Sequence, residues 1–261
     1  MPSMRLIAFD LDGTLLDHDK SIPQRSSRVI EQLRAHGCLF AVITGRARVP
    51  DDVMSTVRPQ ATATSNGGSI AVGEEMLIEH LLTPEQIRAV DALVPQDAEV
   101  IAFGTDAVYA RDPHTQVFDW LSGRTLKPLE EAARGRVLKF NVRHPEAWRY
   151  RETIEALGDM TVTGGVAPYE HFLTVTPARA NKGDALRDIA RALDVPLAQT
   201  VAFGDSDNDL AMFQVAGTAV QVGQAECLVG RGHHQVSCAA LGLPGWLEYY
   251  LGELARELPR A

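Results

Sequence analysis

The sequence predicts an α/β fold in which a parallel-sheet core is split along the chain by an inserted α+β domain. Unbroken apolar runs alternate with amphipathic stretches in the first third and again in the last third. Such runs are typical of parallel strands that are buried on both faces. The middle third instead carries hairpin signals and two helical stretches, which favours a separate α+β unit. We therefore expect the core at residues 1–81 and 171–261, and the inserted domain at residues 82–170.

The first third is expected to alternate strand and helix. Leu6–Phe9 and Leu39–Ile43 are continuous apolar runs and are interpreted as buried strands. Pro23–His36 is interpreted as a helix, because proline opens it and its apolar residues share one face. The next helix is expected to be poor, since Pro50 interrupts its pattern. A third strand is expected at Ala61–Thr64.

The middle third begins with a helix signature. Thr83, Pro84 and Gln86 form a predicted capping box with proline at the first helical position, and the helix should run to about residue 94. Glu99–Ala110 is interpreted as two strands around a Gly-Thr-Asp turn. The remaining predicted elements are a strand at Val137–Val142, a helix at Pro145–Leu157 and a strand from Met160.

The last third returns to the alternating pattern of the first. The predicted elements are the end of a strand at Phe172–Thr176, a helix at Asn181–Leu193, a strand at Thr200–Phe203, a helix at Asp207–Val215 and a strand at Thr218–Val222.

Charge and cysteine usage limit the classes of partner and location. The 25 basic and 34 acidic residues give a formal net charge of −9, which argues against nucleic acid as a partner. No apolar stretch is long enough to span a bilayer, and none near the start resembles a signal peptide. The three cysteines lack a zinc-site spacing, so we interpret them as ordinary thiols. We expect a cytoplasmic protein without a membrane partner, either a monomer or a weak homodimer.

Polar residues follow several of the predicted strands. Asp10 and Asp12 come directly after the first strand, and Gly13 follows them. Two neighbouring carboxylates repel each other unless a positive charge lies beside them. Mg²⁺ favours carboxylate oxygens, and a carboxylate held by metal can also act as a nucleophile. This segment is therefore a candidate metal and catalytic site.

Two further segments could hold a phosphate. Thr44 and Gly45 follow the second strand, where a hydroxyl and free backbone N–H groups suit an anion, although an ordinary turn is the alternative. Lys182 lies at a predicted helix start, where the helix dipole disfavours a cation. Its partner would be a phosphate oxygen or an aspartate, unless it is simply a solvated surface lysine.

A second acidic strand end occurs late in the chain. Asp205, Asp207, Asn208 and Asp209 follow the apolar run at residues 200–203. Helix capping would explain one or two of these residues, but not three beside a strand end. Because parallel strands place their carboxyl ends at one edge of the sheet, these carboxylates and Asp10 are expected to form one site.

The four segments, in this order, resemble the haloacid dehalogenase (HAD) superfamily of phosphohydrolases. The chain lacks the P-loop, dinucleotide-binding, serine-hydrolase and zincin signatures. The matching segments are DLDGT at 10–14, ITGR at 43–46, Lys182 and GDSDND at 204–209. SNGGSI at 65–70 and HFLTVTPARANKGDAL at 171–186 resemble the Cof-type subfamily. The resemblance implies a Rossmann-like core with a type IIB cap as the inserted domain.

The resemblance also implies a role for each motif residue. Asp10 would be the nucleophile and a Mg²⁺ ligand, and Asp12 the general acid/base, with its backbone carbonyl on the metal. Asp205 would be the third protein ligand and Asp209 would support the metal shell. The expected phosphate-binding residues are Gly13, Thr44, Gly45, Lys182 and Asn208.

The implied activity is hydrolysis of a small phosphomonoester, such as a sugar phosphate or a related metabolite, through a phosphoaspartate. A phosphotransferase or phosphomutase on the same scaffold is an alternative, as is a glycosyl-3-phosphoglycerate-type phosphatase. A non-catalytic binding protein is a third hypothesis, which the retained motifs argue against. The resemblance also implies a cap that closes over the core and selects the substrate. The candidate substrate contacts are Arg46, Asn66, Lys139, Tyr169 and His171.

Overall fold

The computed structural model describes residues 4–112, 125–167 and 169–257. Within these residues the chain forms two compact units. Of the described residues, the first unit comprises 4–77 and 182–257, and the second comprises those between 78 and 181. The fold class expected from the sequence, an α/β core with an inserted α+β domain, is confirmed.

The strands are numbered in chain order. They are β1 Leu6–Phe9, β2 Leu39–Ile43, β3 Ala61–Thr64, β4 Ser69–Val72, β5 Glu75–Glu79, β6 Glu99–Gly104, β7 Ala107–Ala110, β8 Thr125–Pro128, β9 Val137–Arg143, β10 Met160–Gly164, β11 Phe172–Pro177, β12 Thr200–Gly204, β13 Thr218–Val222 and β14 His234–Val236. The α-helices are α1 Gln24–Ala35, α2 Asp51–Val57, α3 Pro84–Leu93, α4 Arg151–Glu155, α5 Lys182–Ala192, α6 Leu210–Phe213 and α7 Gly242–Glu257.

A largely parallel sheet forms the centre of the first unit, with the strand order β14-β13-β12-β1-β2-β3-β4-β5. β1 pairs in parallel with both β2 and β12, so that Phe9 lies beside Val42 and Phe203. All four residues of β1 are fully buried, as its continuous apolar sequence requires. Phe9 stacks on Phe203 with 5.2 Å between the ring centroids. This register aligns the carboxyl ends of the three strands.

The second unit is built on a separate sheet with the order β10-β11-β9-β6-β7-β8. Apolar residues of α3 pack on one face of this sheet, with Ile87 and Val90 among the buried members of its core. The predicted capping box is confirmed: Thr83 Oγ1 accepts the Gln86 N–H, and Gln86 Oε1 accepts the Thr83 N–H.

The boundaries of the inserted unit differ from those expected at 82 and 170. The strand expected in the core at Phe172–Thr176 is β11, which pairs antiparallel with β9 and β10 and belongs to the second unit. The crossing back to the core therefore falls at residue 182, where α5 begins. An apolar run of this kind does not by itself show which sheet it joins.

Three helix expectations are corrected by the structure. Pro50 does not interrupt a helix; it precedes the first helical residue of α2, where its missing N–H costs nothing. The helix expected at Pro145–Leu157 divides into a 3₁₀ turn at Ala147–Tyr150 and the short α4. The one expected at Asp207–Val215 divides likewise into a 3₁₀ turn at Asp207–Asp209 and α6.

The C-terminal helix α7 was not predicted. It packs on the core through Leu243 and Leu247, and the Trp246 ring meets Phe203 edge-on at 5.2 Å. Its glycines and proline weaken the helical pattern of the sequence, so burial rather than propensity stabilises it. Along the described part of the chain, no helix combines the length and apolar character needed to cross a membrane.

Candidate active site

The polar residues after β1, β2 and β12 lie at one edge of the first unit's sheet. The backbone N–H of Asp10 donates to the Phe203 carbonyl at 3.0 Å, and that of Thr44 donates to Ala63 at 2.9 Å. These bonds extend the strand pairing to the point where the chains diverge. The register of the parallel strands thus brings together residues that are almost 200 positions apart.

Lys182 ties two of the acidic residues together. Its side chain is fully buried, and its Nζ lies 2.6 Å from Asp10 Oδ1 and 2.7 Å from Asp209 Oδ1. Burial alone would lower the pKa of Lys182, but the two carboxylates outweigh burial and raise the pKa. The lysine therefore stays charged. The alternative that it is a solvated surface lysine is wrong, and its partners are aspartates.

Asp209 is held from three directions. Besides Lys182, its Oδ2 accepts the backbone N–H groups of Asp205 at 2.9 Å and Ser206 at 3.1 Å. A Cβ on Gly204 would lie 2.3 Å from the Asp209 carboxyl carbon, so only glycine leaves room for this arrangement. The acidic segment is thus folded back on its own backbone, with Asp209 fully buried.

The carboxylate of Asp205 lies against the loop that follows β1. Thr14 Oγ1 donates to Asp205 Oδ1 at 3.1 Å. A Cβ on Gly13 would lie 2.2 Å from Asp205 Oδ2, and the φ of Gly13 is +78°. Gly13 therefore serves both a left-handed turn and a close approach. Thr14 is the last residue of the DLDGT motif, and the motif alone does not indicate its bond to Asp205.

Replacing Gly13 by alanine tests how closely the two loops approach. Gly37 is a matched control, because its φ is +82° and an added Cβ would meet nothing within 4 Å. We expect Gly37→Ala to cost about 1–2 kcal/mol for the left-handed backbone alone. Gly13→Ala should cost a further ~1–3 kcal/mol, because Asp205 must move. Denaturant unfolding measures both values, and equal costs would contradict the contact.

Like charge and burial shift the two site carboxylates in the same direction. Burial raises the pKa of Asp205, and the neighbouring Asp10 and Asp209 raise it further, to about 8, against a lowering by Lys182 and Thr14. Burial likewise raises the pKa of Asp10, to about 6; Lys182 opposes this shift and Asp209 adds to it. Lys182 alone therefore does not balance the negative charge of this cluster.

Asp12 lies in a different environment from Asp10. Arg46 binds it with two hydrogen bonds, Nε to Oδ2 and Nη2 to Oδ1, both 2.7 Å long. Lys20 Nζ is 2.9 Å from Oδ1. Burial would raise the pKa of Asp12, but these two cations outweigh burial and lower it to about 2. Lys20 was not among the expected site residues, since it lies in a polar turn without a motif.

Three of the expected phosphate-binding residues, Thr44, Gly45 and Asn208, lie close together. Thr44 is buried, and its Oγ1 accepts the backbone N–H of Arg46 at 3.2 Å. Asn208 Nδ2 donates to Asn66 Oδ1 at 3.2 Å. A Cβ on Gly45 would lie 3.1 Å from that Asn66 oxygen and 3.5 Å from Asn208 Nδ2. Two expected binding residues and one expected substrate contact therefore share one small region.

The other three expected substrate contacts belong to the second unit. Lys139 lies on β9, is 6% exposed, and places its Nζ 4.5 Å from the centroid of the Phe103 ring. Tyr169 and His171 are exposed residues just before β11. Their backbone groups form hydrogen bonds within the second unit; for example, the His144 N–H donates to the His171 carbonyl at 2.9 Å.

The described residues contain one group of side chains with the composition and spacing of a metal site. It consists of Asp10, Asp205 and Asp209, whose ligand atoms all lie within 4.8 Å of one another. Carboxylate oxygens suit a hard divalent cation. The three cysteines, Cys38, Cys227 and Cys238, are free.

Comparisons with known proteins agree with this geometry. A family profile described as haloacid dehalogenase-like hydrolase matches residues 7–231. Phosphatase YwpJ of Bacillus subtilis (strain 168) is 28% identical over 262 residues, which cover 85% of this chain and 90% of YwpJ. A second relative from the same organism is 5-amino-6-(5-phospho-D-ribitylamino)uracil phosphatase YwtE. It is 25% identical over 253 residues, which cover 85% of this chain and 88% of YwtE.

A solved structure shares the fold of the whole chain. The HAD subclass IIB sugar phosphatase BT4131 superposes with a TM-score of 0.82 at 21% identity, over 94% of this chain and 98% of that one. The resemblance inferred from the motifs is thus confirmed. This chain belongs to the haloacid dehalogenase-like hydrolase family, has the fold of a subclass IIB member and is a hydrolase that acts on phosphate esters.

Proposed function

We propose that the protein is a Mg²⁺-dependent phosphatase that hydrolyses a small phosphomonoester through a phosphoaspartate on Asp10. The observation that carries the proposal is the cluster of Asp10, Asp205 and Asp209, the first and last of them buried, with Lys182 bound to two of its members. It combines a candidate nucleophile, a divalent-metal donor set and a fixed positive charge at one sheet edge.

The donor set suits Mg²⁺ on chemical grounds. Asp10 and Asp205 have raised pKa values because burial and like charge disfavour their ionised forms, and a divalent cation would relieve both effects. Asp10, Asp205 and the backbone carbonyl of Asp12 would hold the ion, and Asp209 would support them. When bound, Mg²⁺ supplies neutralisation of the charge on the phosphoryl group.

Asp10 is the proposed nucleophile. Lys182 contacts only its Oδ1, which leaves Oδ2 outside that contact for bond formation with phosphorus. As the P–O bond to the alcohol breaks, the alcohol oxygen requires a proton, and Asp12, which must first take up a proton from solvent, is the proposed donor. Asp12 then takes a proton from the water that attacks the phosphoaspartate. Asp10 is released unchanged, and inorganic phosphate leaves.

The phosphoryl oxygens are assigned to residues around this nucleophile. Thr44 Oγ1, Lys182 Nζ and the backbone N–H groups near Gly13 and Gly45 would hold them. Asn208 would contribute its amide, which now bonds Asn66. Such fixed donors stabilise the transition state because they require no reorganisation when charge develops.

The proposed substrate class is a phosphate ester of a polyhydroxyl metabolite. Two matched proteins support it, since one is a sugar phosphatase and the other is a phosphatase of a phosphoribitylamino compound. Arg46, Asn66, Lys139, Tyr169 and His171 are the proposed substrate contacts. Lys139, Tyr169 and His171 all lie in the second unit. Alanine variants of these three should change the KM values for some substrates while the protein stays folded.

The function is tested by a phosphate-release screen over sugar phosphates, sugar-alcohol phosphates, nucleotides and cofactor phosphates, with Mg²⁺ and with chelator. We expect release from some polyol phosphates with Mg²⁺ and none in chelator. A transphosphorylated product in place of inorganic phosphate would instead identify a phosphotransferase. No turnover on any ester would contradict both activities.

The stabilisation of the fold by Mg²⁺ is expected to depend on pH. Because the pKa of Asp205 is raised to about 8, the folded metal-free protein holds a proton that the unfolded chain has lost above pH ~4. Its stability should therefore fall as pH rises from about 4 to about 8. Mg²⁺ competes with that proton, so its stabilising effect should be larger at pH ~8 than at pH ~5.5.

Thermal unfolding with and without MgCl₂ at the two pH values measures this effect. Asp205→Asn is the matched variant, because it removes the titrating carboxylate and keeps the volume of the side chain. It should show a smaller Mg²⁺ shift with a weaker pH dependence, which comes from Asp10, whose pKa is raised to about 6. An equal shift at both pH values in the unmodified protein would contradict the assignment of the metal ligands.

A further inference from the structure

Asp12 is bound by two cations that approach it differently. Arg46 occupies both carboxylate oxygens at 2.7 Å, whereas Lys20 contacts Oδ1 alone at 2.9 Å. Arg46 thus covers both oxygens of the carboxylate, whereas Lys20 leaves Oδ2 uncovered. Oδ2 can face a leaving-group oxygen when Arg46 releases it.

Lys20 is fixed in place by its own loop. Its backbone N–H donates to the Asp17 carbonyl at 2.9 Å, and the Asp17 N–H donates to the Ser21 carbonyl at 3.0 Å. Asp19 Oδ1 accepts both the N–H and the hydroxyl of Ser21. These four hydrogen bonds close the loop, from which the lysine side chain contacts Asp12.

This position is unfavourable for a lysine on local grounds. Its φ is 64°, in the left-handed region that glycine adopts without cost and other residues do not. The ion pair gives little in return, because the side chains of Lys20 and Asp12 are 62% and 43% exposed and exposed pairs contribute little stability. Stability therefore does not explain why a lysine occupies this position. Its contact with Asp12 is the observation that does.

We propose that Lys20 is a positioning residue that holds Asp12 Oδ1 while Oδ2 exchanges the proton. Its one-point contact leaves Oδ2 available once Arg46 releases that oxygen, and it keeps the carboxylate from turning away. This inference rests on the proposed function, in which Asp12 protonates the leaving alcohol. It assigns Lys20 and Arg46 different roles, although both are cations on the same carboxylate.

The leaving group of the substrate separates this role from a merely structural one. An aliphatic alcohol must be protonated as it leaves, whereas p-nitrophenolate leaves without a proton. The ratio kcat/KM covers the steps up to departure of the leaving group. We expect Lys20→Met to lower kcat/KM about tenfold for the aliphatic phosphate that performs best in the Mg²⁺ screen. For p-nitrophenyl phosphate the change should stay within about twofold.

Two further variants complete the experiment. Lys20→Arg should recover most of the loss, because it restores a donor to Asp12. Arg88→Met is the matched control, since Arg88 is 61% exposed and pairs with Glu85 on α3 of the second unit; it should leave both substrates unaffected. The melting temperature of Lys20→Met should match that of the unmodified protein.

Equal losses on both substrates, no loss on the aliphatic ester, or no recovery in Lys20→Arg would each overturn the proposal. These outcomes leave the activity of the unmodified protein intact, so they differ from a failure of the proposed function. The latter would appear as an unmodified protein that releases no phosphate with Mg²⁺.

Discussion

Asp10→Asn is expected to lower kcat by at least about 10³-fold, to the level that binding and the remaining groups supply without a nucleophile. An amide oxygen does not form the acyl phosphate through which the ester is hydrolysed. The variant should fold, because Lys182 keeps its second partner, Asp209, at 2.7 Å. It should also still bind phosphate. Phosphate release measures the loss of turnover, and circular dichroism measures whether the variant is folded.

Asp188→Asn is the matched control for this substitution. Asp188 is also 4% exposed and also contacts a cation, Arg191 at 2.9 Å, but it lies outside the site on α5. Its amide variant should keep the activity of the unmodified protein. Near-normal turnover by Asp10→Asn would contradict the nucleophile assignment, whatever the control shows.

Lys182→Met is expected to impair both stability and activity. The ammonium is fully buried between Asp10 and Asp209, so its removal leaves buried carboxylates without a countercharge. A loss of this kind costs about 3–5 kcal/mol. The activity should fall about 10²–10³-fold, as when one donor to a developing charge is removed.

Urea unfolding without metal measures the stability change, and phosphate release measures the activity. The double variant Lys182→Met with Asp209→Asn provides the control. It removes one of the two opposed carboxylates, so it should regain part of the lost stability while it stays inactive. A single variant as stable as the unmodified protein would show that the lysine is not the countercharge of this cluster.

The position of the site could be predicted from sequence because it follows from strand register. Residues that come directly after buried parallel strands share one sheet edge, so Asp10, Thr44 and Asp205 had to lie close together. The apolar runs that form β1, β2 and β12 were visible without a structure. The helix α1 and the hairpin of β6 and β7 were likewise predicted from local patterns and are confirmed.

Other features depend on contacts that local patterns do not encode. β11 is an apolar run that could have joined either sheet, and only its pairing with β9 assigns it to the second unit. α7 is stabilised by packing on the core rather than by its own propensity. The contacts of Asp12 with Arg46 and Lys20 involve the loop after β1 and the loop after β2, and side-chain contacts of this kind need the tertiary structure.

The central claim, that Asp10 accepts the phosphoryl group, is tested most directly by trapping the intermediate. The unmodified protein is mixed with a substrate that carries radiolabelled phosphate, quenched in acid within the first turnover and digested into peptides. The account predicts label on the peptide that contains Asp10, released by hydroxylamine as an acyl phosphate is, and absent from Asp10→Asn. Label on another residue, or full turnover with no labelled protein at any quench time, would contradict it.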